Sequence, residues 1–135
     1  MEETVSFAKL YEYNTLKIGI TVPVRLFLDG ETVIFEAKID TGAENCIFER
    51  IHGARLGLVI ESGEKQIFST TTGTFVAYAH EVALTVLEIE IFTKVYFAED
   101  ENYRRNVLGR QGWLDCVKLG LIDYEGKLLL SAYGE

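Results

Sequence analysis

The chain has 135 residues, 48% of them hydrophobic, with 12 Gly, 1 Pro and 2 Cys and a net charge of −8. That is one domain, residues 1–135, able to bury its own core, and its abundant Val, Ile, Phe and Tyr point to a mostly β protein with tight turns. The acidity excludes phosphate-neutralising nucleic-acid binding and attraction to an anionic membrane surface. No apolar run reaches membrane-spanning length, and Met1-Glu2-Glu3-Thr4 lacks the basic start of an export signal, so the expectation is a cytoplasmic protein. Cys46 and Cys116 cannot form a disulfide framework; they read as small core residues, with a redox pair as the alternative.

Residues 1–14 show no clean period, but Phe7, Leu10, Tyr11 and Tyr13 suggest an N-terminal arm or added strand. Residues 16–28 read as strand, with Pro23 marking an edge or bulge. Asp29-Gly30 is a type I′ hairpin signal. The returning strand, residues 32–39, places Val33, Phe35, Ala37 and Ile39 on one face and delivers Asp40 to Thr41-Gly42-Ala43. Gly42 allows a sharp loop and a close approach, and the Thr41 hydroxyl can lock that loop by hydrogen bonding.

Beyond Ala43, Phe48, Ile51 and Leu56 approximate helical spacing, with Gly57 as a stop and His52 as an exposed helix residue. Residues 66–78 are polar and β-branched around Gly73, the pattern of a hairpin with Thr71, Thr72, Gly73 and Thr74 at its tip. In residues 80–98 the apolar phase moves from Val82, Leu84 and Val86 to Leu87, Ile89 and Ile91, which demands a bulge or turn near Leu87-Glu88. Glu99-Asp100-Glu101-Asn102 reads as a solvated acidic loop, and no Cys/His cluster has zinc-ligand spacing. Val107-Leu108-Gly109-Arg110 leads into a helical turn at residues 111–115, and residues 117–133 read as a closing hairpin. Asp115 is a rival acid, but no strand-and-glycine loop presents it.

Asp-Thr-Gly alone is also an ordinary turn sequence. Two facing carboxylates, however, share one proton, because both cannot ionise cheaply at contact distance; one then serves as base toward water while the other polarises a peptide carbonyl. Asp40-Thr41-Gly42-Ala43 together with the later Val107-Leu108-Gly109-Arg110 resembles the retropepsin-like, retroviral-type aspartic proteases, as a cellular or bacterial-type member, over roughly residues 16–131.

The resemblance implies a closed β-barrel or sandwich equivalent to a single pepsin lobe, with one or two short helices. Asp40 would be catalytic, supported by Thr41, Gly42 and Ala43, with Val107, Leu108 and Gly109 as the second motif and Glu44–Arg110 as a structural ion pair. The segment at about 66–78 would be the flap over the substrate. Gln111 departs from the Asp or Asn that retroviral members commonly carry. One Asp-Thr-Gly per chain implies a homodimer with Asp40 opposite its own copy, acting on an extended peptide or protein substrate without metal or cofactor. Ala43 offers that dyad no hydroxyl, which implies a weakly acidic optimum of roughly pH 5–6.5. The alternatives are a catalytically silent dimerisation or peptide-binding module of the same fold and a processing domain of a larger assembly; the intact Asp40, Thr41 and Gly42 favour the endopeptidase.

Overall fold

Alternation of inward apolar and outward polar residues decides most of the architecture. The computed structural model describes residues 1–135. It contains the strands β1 (Lys9–Glu12), β2 (Thr21–Leu28), β3 (Glu31–Ile39), β4 (Ile47–Phe48), β5 (Glu64–Thr70), β6 (Gly73–Val86), β7 (Ile89–Ala98), β8 (Val107–Leu108), β9 (Val117–Ile122) and β10 (Lys127–Ala132). One short helix, α1 (Arg50–Arg55), accompanies them, so the protein is mostly β. No helix is long and apolar enough to cross a membrane.

The larger sheet runs β2-β3-β8-β4-β7-β6-β5. β6 is long enough to pair with β7 along its C-terminal part and also with β2, through Arg25↔Thr85, Leu26↔Leu84 and Phe27↔Ala83. The pairings therefore run from β2 through five other strands and back to β2, a ring of six, and β5 projects beyond them as the outer arm of a hairpin. β1, β10 and β9 form a separate three-stranded sheet that does not close on itself. The N-terminal arm is thus an added strand, with Lys9↔Leu130 and Glu12↔Lys127 fixing its register.

Two tight turns set the hairpins. Asp29 and Gly30 have φ of 48° and 84°, the paired positive values of a type I′ turn. Leu87 and Glu88 have φ of 48° and 68°, so the apolar phase changes at a second such turn, made without glycine. Each of those two residues costs about 1–2 kcal/mol of steric strain. Strand β2 starts later than the sequence suggested. Asn14 accepts the Leu16 N–H through its side chain at 2.9 Å and the Lys17 N–H through its backbone carbonyl at 3.3 Å, which curls residues 14–17 into a turn. Pro23 lies in the part of β2 that β6 does not reach, where a missing donor is harmless.

The core gathers the inward residues of β2, β3, β6 and β7 with Phe48, Leu108, Trp113, Leu128 and Leu130. Each such fully buried side chain contributes about 1.5–3 kcal/mol. Three corrections concern neighbouring elements. His52 is not on an exposed helix face: it is 8% exposed and stacks on Phe35 with ring centroids 3.8 Å apart. The expected helical turn at 111–115 is a single 3-10 turn, Leu114–Cys116, because Gly112 has φ +97° and interrupts the chain before it. Cys46 is buried, whereas Cys116 is only partly so; burial pushes their thiols up to about 12 and about 11, the Cys116 thiol also bonding Asp115.

Candidate functional site

Strand β3 carries its alternation as far as Ile39, buried in the core, so Asp40 is the first residue free to leave the sheet. β8 wedges between β3 and β4, parallel to the first through Lys38↔Val107 and Ile39↔Leu108 and antiparallel to the second through Ile47↔Val107. Its backbone then holds the loop from both sides. Asp40 N–H donates to Leu108 O at 3.0 Å, Arg110 N–H to Ala43 O at 2.9 Å and Gln111 N–H to Glu44 O at 2.8 Å. Gly109 makes this contact feasible: a Cβ there would lie 2.2 Å from Asn45 O and 2.8 Å from Ala43 O.

Within the loop, the Gly42 N–H donates to Asp40 Oδ1 at 3.0 Å, and Ala43 N–H donates to Asp40 O at 3.1 Å. Gly42 is not in the left-handed region, so the expected sharp turn is not its reason for being glycine. Its Cβ would instead sit 3.3 Å from Asp40 Oδ1, crowding the carboxylate that its own N–H orients. Thr41 is exposed, and its hydroxyl has no hydrogen-bond partner within the chain; the lock expected of it is not made inside one protomer.

Asp40 opens into a cavity of about 230 Å³ between this loop and the β5–β6 hairpin. The hairpin contributes Phe68, Ser69, Thr70 and Phe75, while Thr71, Thr72, Gly73 and Thr74 form the exposed tip beyond the cavity. Phe68 and Phe75 stack at 5.2 Å, and Phe75 meets Tyr103 at 4.9 Å, so one wall is aromatic. Burial raises the Tyr103 phenol above its ordinary pKa; the nearby Arg105 opposes this, while Asp40 and Glu49 add to it.

Arg105 is the site's unforeseen member. Its Nη2 stands 4.0 Å from Asp40 Oδ2, with the Asp40 side chain 33% exposed and that of Arg105 57% exposed. A sequence signal existed: consecutive arginines, Arg104 and Arg105, just before Val107 in an otherwise acidic chain. Tyr103 and Arg105 face the cavity, while Arg104 of the same segment faces a separate hollow of about 510 Å³ beside α1. There Arg50 is already bound by Glu61 through two bonds of 2.6 and 2.8 Å.

Glu44 and Arg110 adjoin one hollow of about 320 Å³, yet their charged groups form no ion pair. The two segments are joined by backbone bonds instead, so the expected side-chain pair is corrected to a main-chain ladder. Asp115 accepts the Gly112 N–H at 3.1 Å and is occupied in closing its own turn. No three His, Cys, Asp or Glu side chains converge as a metal-ligating group. No protein-family model matches the chain, and neither does any curated protein.

Proposed function

We propose that the chain is one half of a retropepsin-like aspartic endopeptidase, with the ring of six paired strands as its single lobe and the β5–β6 hairpin as its flap. The observation that carries this reading is Asp40 at a rigid strand end, its Oδ1 held by the Gly42 N–H, facing a cavity roofed by a hairpin. Its partial exposure, beside an exposed Thr41, leaves a surface on which a second copy can bring an identical carboxylate.

In the dimer the ionised Asp40 takes a proton from the water between the two carboxylates. The water oxygen bonds to the scissile carbonyl carbon as the other Asp40 gives its proton to the carbonyl oxygen. The gem-diol intermediate then expels the amine: the C–N bond breaks, nitrogen takes the proton that the first Asp40 drew from water, one gem-diol hydroxyl returns its proton to the other Asp40, and the dyad is left with one proton again. The hairpin supplies edge backbone groups to an extended substrate and excludes water when closed.

The test combines sedimentation with digestion of a denatured protein by native and Asp40→Asn chains. The expected result is a dimer in both and cleavage only by the native protein. Equal cleavage by both would remove Asp40 from the mechanism. A native dimer that neither cleaves nor binds a statine-containing peptide is the silent module instead, since such a transition-state mimic requires the assembled dyad.

A further inference from the structure

Resting on that reading, we infer that Arg105 makes the cleft selective for a carboxylate on the substrate next to the scissile bond. The Arg105 guanidinium lines the same cavity as Asp40, yet its N–H groups donate to no acceptor within the chain. At 4.0 Å, its approach to Asp40 is an ion pair without a hydrogen bond. Phe75, Tyr103 and Val107 line the same cavity, as do the polar Asn45, Ser69 and Thr70, and none of them accepts a bond from Arg105. Glu44 also reaches this cavity, but its other side opens onto the hollow with Arg110, across the loop.

A substrate entering this cleft displaces the water that solvates Arg105. A neutral apolar side chain leaves the guanidinium desolvated with only the long contact to Asp40 and no hydrogen-bond acceptor, which is costly. A carboxylate accepts two parallel N–H bonds from it and removes that penalty. Because Arg105 lies within 4.0 Å of the catalytic carboxylate, the group that reaches it belongs to a residue flanking the cut. The two-fold axis supplies a second Arg105, so the acid is accepted on either side of the bond. The carboxylate has two sources, an internal Asp or Glu or the free end of a chain.

The experiment uses the native full chain and four amidated peptides that differ only in one residue flanking the cut: Leu, Gln, Glu or Lys. A fifth peptide ends there with a free carboxylate. Statine-containing versions give binding independently of turnover. The expected result is a preference for Glu over Gln of about tenfold in kcat/KM, with Lys poorest. Arg105→Gln should erase the preference, read as the Glu-to-Gln ratio of kcat/KM within each protein, and Arg105→Glu should transfer it to Lys. Selection of the fifth peptide over the internal Glu assigns the carboxylate to a chain terminus.

Cleavage of all peptides with no Glu preference, or a preference that survives Arg105→Gln, overturns the assignment and leaves the protease reading standing. Binding and cleavage of none of them removes both.

Discussion

His52 makes the fold sensitive to mild acid. Its ring is 8% exposed, lies flat against Phe35 and keeps a buried Nδ1 without a partner. Burial, with a smaller contribution from Arg55, pushes its pKa down from 6.5 to about 4. A folded-state pKa below the unfolded one means the stabilisation is complete above pH 6.5 and is lost as pH falls toward 4. At about 1.4 kcal/mol per pH unit the whole loss is about 3 kcal/mol, and about 2 kcal/mol of it is reached by pH 5. His52→Leu keeps an apolar group on Phe35 and removes the titration. Urea unfolding of both proteins at pH 7.5 and 5.0, at one protomer concentration, measures the difference. The native protein should lose about 2 kcal/mol more than the variant on acidification. Equal losses would refute a buried neutral imidazole at this position.

Three further outcomes are expected. Gly109→Ala should lower stability by about 2–4 kcal/mol, since its methyl group meets Asn45 O and Ala43 O; an unchanged urea midpoint would contradict the tight approach of β8. Glu88→Gly should raise stability by about 0.5–1 kcal/mol by relieving a positive φ, against the loss of an exposed pair with Lys9, and thermal unfolding reads the sign. On the protease reading, Ala43→Ser should move the pH–rate bell toward acid, because a hydroxyl donor favours the ionised dyad; a shift toward alkali would show that another group controls its protonation.

The parts legible in the sequence are those decided by neighbours along the chain. Asp29-Gly30 announces its turn by residue type, and the slipped apolar phase locates the turn at Leu87-Glu88 even without glycine. The spacing of Phe48, Ile51 and Leu56 suggests one helical face that would leave His52 exposed. Phe48 belongs to β4 and the helix starts only at Arg50, which leaves Ile51 46% exposed and turns His52 inward. In the site, Asp40 and its loop stand out because their chemistry is local. Arg105 does not, since its position depends on β8 lying parallel to β3, a pairing between distant segments. The same limit applies to Glu44 and Arg110: adjacency of two segments does not decide whether side chains or backbones make the bonds.

The wedge of β8 also sets an order of events during synthesis. The hairpin that delivers Asp40 is local and can form as soon as residues 21–39 are available. The bonds that fix the loop come from Leu108, Arg110 and Gln111, so closing it requires most of the chain and a long loop closure. A ribosome-bound chain that has already exposed Asp40 therefore carries a carboxylate without an oriented loop. On the protease reading, proteolytic competence arrives only with the late segment and then with a second finished copy, which keeps the growing chain from cutting itself or its neighbours.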